Sequence, residues 1–246
     1  MKEENRSGTF IVIEGPDASG KQTQAYRIAE WLRDKEYSSI SKEAQRRIVG
    51  RMPGRYPDPE NEERVDDSIR DGVWHLSFPT YSQTPGGRVV EAYLNGEFGD
   101  RGSIDMELIV DIYAADRKQF KELIAEFVDE GGIIVCDRYR EANLIHQLVG
   151  FEDEWEEKRK YIKSIDADLP DADTVFYLDI SPEEALRRMD GKDKDIHELD
   201  DSYMQKSNSN GLKVARKEGW CIIDGERSLE EVETSLREKI LSLVKQ

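Results

Sequence analysis

Four short apolar runs stand out from a chain that is otherwise mixed and charged: Thr9 to Ile13, Gly132 to Cys136, Thr174 to Leu178 and Trp220 to Ile223. Each has the length of a strand and is apolar at successive positions, the pattern of a strand whose sheet is covered on both faces. A fifth, weaker run covers Val73 to Phe78. Between the runs, apolar residues recur at helical spacing, as in Ala25, Ile28, Ala29 and Leu32, and along a stretch from about Asp105 to Asp129. Two later helices carry start signals. Ser181-Pro182-Glu183-Glu184 offers an N-cap, a proline at the first helical position and a capping-box glutamate, and Ser228 with Glu231 repeats the device before Leu229, Val232, Leu236, Ile240 and Leu243. Strands alternating with helices predict an α/β fold, doubly wound, with a mostly parallel five-stranded sheet flanked by helices. Ligands of such sheets sit beyond the carboxyl ends of the strands, so the residues after Ile13, Phe78, Cys136 and Leu178 are the first candidates for chemistry.

One segment interrupts the alternation. Glu36 to Gly72 is rich in charge, contains Pro53, Pro57 and Pro59, and joins the first helix to the second strand. We expect a single domain over residues 1–246 with a charged insertion at about 37–72, holding a helix around Ser41 to Val49 and contributing little to the central core. There are no internal repeats. A formal net charge of -17 argues against nucleic acid or an acidic membrane surface as a partner. It also makes cations inside motifs informative, because any nucleotide site has to be a positive island in a negative field. Cys136 and Cys221 lie inside apolar runs and read as two buried strand cysteines of a reducing cytosol. The polar start MKEENRSG is unlike a signal sequence, and there is no apolar run of about eighteen residues to span a bilayer, so a cytoplasmic protein is expected.

The first strand runs into EGPDASGKQT, Glu14 to Thr23, with Gly15 and Gly20-Lys21 spaced as in a phosphate-binding loop that opens a helix. Glycines let backbone N–H groups turn toward phosphate oxygens, the helix N-terminus adds positive potential, and Lys21 can reach the β- and γ-phosphates. Nucleotide phosphates would therefore lie against Gly15, Ala18, Ser19, Gly20, Lys21, Gln22 and Thr23. The position after Lys21, usually a hydroxyl residue that meets Mg²⁺, is Gln22, and the hydroxyl comes one residue later at Thr23. At the end of another strand stands Asp137-Arg138-Tyr139, which brings a carboxylate suited to Mg²⁺ and a guanidinium suited to phosphate to the same sheet edge. Together with the loop it reads as a phosphoryl-transfer centre, since that reaction asks chiefly for positioning and charge neutralisation.

The order of motifs resembles that of the thymidylate kinases over nearly the whole chain. FIVIEGPDASGKQTQ is similar to the family's opening, Phe78-Pro79 with Tyr81 to its FPxY element, and IYAADR followed by DRY completes the pattern. The resemblance implies a P-loop fold of the nucleoside monophosphate kinase type, transfer of the γ-phosphoryl group of ATP to dTMP with Mg²⁺, and a homodimer built from the helices beside the second strand. It places Asp17 by the sugar and the metal-bridged phosphates, Arg138 on the acceptor phosphate, and Asp137 with Asp17 at the metal. It further implies that Phe78, Pro79 and Tyr81 line the acceptor site, that Tyr113 stacks on thymine, that Arg117 hydrogen-bonds a base carbonyl, that Asn143 and Gln147 read the base edge, and that His146 lies close to the sugar. The run ALRRMDGKDKDIHELD resembles the family's lid, at about 187–202, and offers Arg187, Arg188, Lys192 and Lys194 as cations for ATP. Two other readings share parts of this machinery: another nucleoside monophosphate or deoxynucleoside kinase, and an ATP-binding switch that turns over no acceptor.

Overall fold

The computed structural model describes residues 7–53, 68–99, 103–189 and 201–244. The five apolar runs become β1 (Thr9–Glu14), β3 (Val73–Ser77), β4 (Ile133–Asp137), β5 (Thr174–Asp179) and β6 (Cys221–Asp224), all mutually parallel where they pair. The sheet has six strands rather than the expected five, in the order β2-β3-β4-β1-β5-β6. The extra strand, β2 (Ile69–Arg70), pairs antiparallel with β3 and is only two residues long, too short to leave an alternation in the sequence. The chain winds from β1 to one side through β3 and β4 and then to the other through β5 and β6. The crevice beyond the carboxyl end of β1 is therefore the switch point where such folds bind ligands.

Ten α-helices and one short 3-10 helix (Tyr81–Gln83) complete the described chain: α1 (Lys21–Arg33), α2 (Lys42–Val49), α3 (Pro85–Leu94), α4 (Met106–Lys118), α5 (Lys121–Asp129), α6 (Glu141–His146), α7 (Trp155–Ile165), α8 (Pro182–Met189), α9 (Asp201–Glu218) and α10 (Leu229–Val244). Successive strand residues point to opposite faces, so one set of β residues serves each side. Phe10, Val12, Trp74, Leu76 and Ile134 pack with Ile48, Leu123, Ile124 and Phe127, while Ile11, Ile13, Ile133 and Val135 pack with Ile28, Leu32, Leu236 and Ile240. Each such side chain contributes about 1.5–3 kcal/mol on burial, which is why the strands read as unbroken apolar runs. Cys136 is buried in β4, whereas Cys221 at the start of β6 is only half-buried.

Three local expectations change. The helical stretch from Asp105 to Asp129 is two helices, α4 and α5, because Phe120 turns inward, 3 % exposed and edge-on to Phe78 at 5.5 Å. The charged insertion does hold its helix, with Ser41 Oγ capping the Ala44 N–H at 3.1 Å. Yet Ile48, Val49 and Ile69 are buried in the same cluster as Trp74 and Phe127, so its flanks belong to the core. At α8, Ser181 Oγ accepts from the Glu184 N–H, but the Glu184 carboxylate turns to Arg187 and Arg188, and Glu226 takes the Ser181 N–H at 2.9 Å. The box before α10 closes in both directions, between Ser228 and Glu231. Among the described residues, no helix is long and apolar enough to cross a membrane.

Candidate functional site

The loop after β1 is built around its glycines. Gly15 has φ +156°, and a Cβ there would meet Ser19 Oγ at 2.7 Å and the Leu178 carbonyl oxygen at 2.9 Å. Gly20 is left-handed at φ 85° and opens α1 with no side chain capping it, so the first-turn N–H groups remain available to an anion. Lys21, at 7 % exposure, donates to the Pro16 carbonyl at 3.0 Å and lies 3.5 Å from Asp17 Oδ1. Burial and the nearby Arg138 charge push the Lys21 ammonium below its usual range. Ser19 Oγ is buried without a protein partner, whereas Gln22 and Thr23 are exposed on the first turn of α1.

Asp137 ends β4, and its Oδ2 accepts from Ser77 Oγ at 3.2 Å while Oδ1 is buried with no protein partner. Arg138 follows on a left-handed backbone, φ 62°, an unfavourable conformation for a residue with a side chain. That conformation aims its guanidinium back across the crevice, where it ion-pairs with Asp17 Oδ1 and meets His146 Nε2 at 2.9 Å. A guanidinium can only donate, so Nε2 accepts and the His146 proton sits on Nδ1, facing Tyr203 Oη at 3.3 Å and Ser207 Oγ at 3.4 Å. Burial works against the Asp17 carboxylate, but Arg138 and Lys21 outweigh it and hold its pKa well below the usual range. Beneath the loop, Glu14 is fully buried and accepts from the Tyr139 N–H at 2.9 Å; burial pushes its carboxyl up to about 8.

Asp17, Phe78, Pro79, Tyr81, Tyr113, Arg117, Arg138, Asn143, His146 and Gln147, all the residues assigned to the acceptor side, line one cavity of about 70 Å³. They arrive from the loop after β1, the segment after β3, α4, the end of β4, and α6 with its C-cap, and are joined by Tyr139 of the DRY motif and by Leu94 and Ala142, which the sequence did not single out. Its enclosed part is small beside the roughly 300 Å³ of a usual ligand pocket, and the rest of the cleft opens to solvent. Tyr113 is half-buried and meets Tyr93 edge-on at 6.3 Å. Arg117 is 1 % exposed and donates to Asp166 Oδ2 at 2.7 Å.

Asp116, also missed, ties the segment after β3 to α4 by accepting from the Thr80 N–H at 2.8 Å and from Thr84 Oγ1 at 3.0 Å. Its signal was its place beside Arg117 in IYAADR. On the lid side, Arg188 donates to the Gly225 carbonyl at 3.0 Å and reaches the Ala18 carbonyl of the loop at 3.5 Å. Arg187 is exposed and paired with Glu184, and Lys192 and Lys194 lie outside the described residues. A larger cleft of about 770 Å³ opens elsewhere, beside α7 and the starts of β5 and β6, and shares no residue with the loop or the acceptor cavity.

Comparison with known proteins adds a family to this geometry. The family model for thymidylate kinase matches residues 63–236. The thymidylate kinase of Exiguobacterium sibiricum is 28 % identical over 244 residues, covering 97 % of both chains. The probable thymidylate kinase of Pyrococcus abyssi is also 28 % identical, covering 97 % of this chain and 96 % of its own. Among solved structures, thymidylate kinase from Candida albicans aligns with a TM-score of 0.66 at 22 % identity, over 96 % of this chain and 92 % of that one, a likeness of fold.

Proposed function

The chain belongs to the thymidylate kinase family, and from that premise we propose how its own residues divide the work. It is an ATP-dependent nucleoside monophosphate kinase that converts dTMP to dTDP. The donor phosphates of ATP rest on the Gly15 to Thr23 loop, with Lys21 against the β- and γ-phosphates and Arg188 nearest among the described lid-side cations. The acceptor phosphate takes Arg138, displacing Asp17 from its ion pair, and the thymine sits among Tyr113, Arg117, Asn143 and Gln147. The acceptor oxygen then attacks the γ-phosphorus in line, and ADP leaves.

Mg²⁺ fits Asp137 better than Asp17. Asp137 Oδ1 has no protein partner, whereas Asp17 Oδ1 is shared by Arg138 and Lys21. Among the described residues, no three His, Cys, Asp or Glu side chains form a metal cluster, so the remaining ligands would be phosphate and water, the usual habit of this ion. When bound, it neutralises charge on the phosphates.

The observation that carries this reading is that residues from five separate segments meet in one cavity joined to the loop by the Asp17–Arg138 pair. A switch protein has no use for such an acceptor pocket. The test is kcat/KM for dTMP, dUMP, dCMP and AMP: dTMP should be best, dUMP next, and dCMP and AMP poor. A preference for dCMP or AMP would overturn the base-pocket assignment. For the assembly we propose a cytoplasmic homodimer of single-domain chains, packed through α3 and α4, where Val89 and Leu108 are 42 % and 53 % exposed. Sedimentation of a monomer at micromolar concentration would refute the dimer.

A further inference from the structure

We propose that Asp166, which follows α7 and lies outside the acceptor cavity, is a positioning residue that sets which base the cavity accepts; this rests on the reading of Arg117 and Asn143 as contacts to the base edge. Three buried side chains meet there. Arg117, Asn143 and Asp166 are 1 %, 2 % and 2 % exposed, and both base-reading residues turn a donor toward the same oxygen, Asp166 Oδ2. The guanidinium donates to it at 2.7 Å and Asn143 Nδ2 at 3.5 Å, while Asn143 Nδ2 also faces the Val110 carbonyl at 3.4 Å.

Chemistry fixes the rest. An amide whose NH₂ faces two acceptors has its carbonyl oxygen left for other partners, so Asn143 offers the cavity an acceptor. Arg117 can only donate. The carboxylate therefore imposes one donor and one acceptor on the cavity, the complement of the thymine O4 and N3–H. Cytosine reverses both groups, with an amino group and a bare N3, and meets a mismatch at each contact. Asp166 also neutralises a cation buried with it, so the base end presents directed donors rather than a free charge that would compete with Arg138 for the phosphate.

The test is a double-mutant cycle on the full chain, using Arg117→Ala, Asp166→Leu and the double variant, with kcat and KM for dTMP and dCMP at saturating ATP, below each melting temperature. Asp166→Leu should raise the KM for dTMP about tenfold, leave kcat within about threefold, and narrow the dTMP preference by a similar factor, the scale of one orienting contact. In the Arg117→Ala background its effect on the dTMP KM should fall well below about tenfold, leaving only the part that Asp166 exerts through Asn143. Additive effects, or a native KM and preference in Asp166→Leu beside a shifted KM in Arg117→Ala, would overturn the proposal alone. A native dTMP KM in Arg117→Ala would overturn the base-edge reading and this proposal with it. Should Asp166→Leu not fold, the isosteric Asp166→Asn replaces it in the cycle. It should narrow the preference by a smaller factor, and a native preference there refutes the role.

Discussion

Two arginines line the same cavity and are held in different ways. Arg138 sits on a strained left-handed backbone at a strand end, keeps 21 % of its side chain exposed, and is paired with Asp17, itself a loop residue. Arg117 sits on a regular helix, is 2 % exposed in its side chain, and is pinned by a buried carboxylate. The difference follows from what each proposed ligand demands. A phosphate arginine has to exchange one anion for another within every turnover, so its partner must be displaceable. A base-reading arginine discriminates by geometry and gains from never moving.

The sharpest way to break the comparison is to remove charge at the phosphate end. Lys21→Ala and Arg138→Ala should each cut turnover by roughly 10²- to 10⁵-fold with little change in melting temperature. Retained turnover in either variant would remove that residue from the proposed machinery. At the base end, Arg117→Ala should act mainly on KM for dTMP and on the dTMP to dCMP ratio, by roughly 10- to 100-fold, since it takes away a matched polar contact. A fall in kcat alone would mean that the two arginines do the same job.

His146 sharpens the contrast further. Its Nε2 is engaged by Arg138, so His146→Phe should lower kcat about tenfold through loss of one charge-assisted hydrogen bond, and His146→Gln, which keeps an acceptor, should recover part of it. If both variants show native kcat and an altered tolerance for ribonucleotides, the side chain serves the sugar instead.

On turnover at neutral pH the smallest effect is expected at Glu14, which also belongs to the phosphate end and is read in stability against pH. The Glu14 carboxyl is raised from 4.5 to about 8, so the folded state holds that proton more tightly than the unfolded chain. Its contribution is fully present below pH 4.5 and is lost as pH rises through about 8. Denaturant melts of the native protein and Glu14→Gln across that window should diverge, with the variant flatter. Parallel curves would show that Glu14 titrates normally.

What the sequence made legible was what lies in consecutive residues. The Gly15 to Lys21 loop declares itself because strand, turn and helix follow one another, and Asp137-Arg138 because it closes an apolar run. The acceptor residues became visible only through family resemblance, since they come from five segments and no local pattern joins them. Asp166 had no signal at all; its partner Arg117 is 49 residues away and a lone aspartate after a helix is ordinary. The break at Phe120 was hidden because α5 resumes the same apolar spacing as α4, and the charges and prolines of the insertion obscured Ile48 and Ile69, which enter the core.

The Asp17–Arg138 ion pair gives substrate binding the character of a ligand substitution. On the proposed assignment, the outgoing ligand is a carboxylate that stays tethered a few bonds from where it left, at high local concentration, and it reclaims the guanidinium whenever the phosphate departs. A singly charged phosphate gains little over such a rival; a doubly charged one gains a good deal. Affinity for the acceptor should therefore track the second ionisation of its phosphate, near pH 6, even though neither Asp17 nor Arg138 changes its charge there.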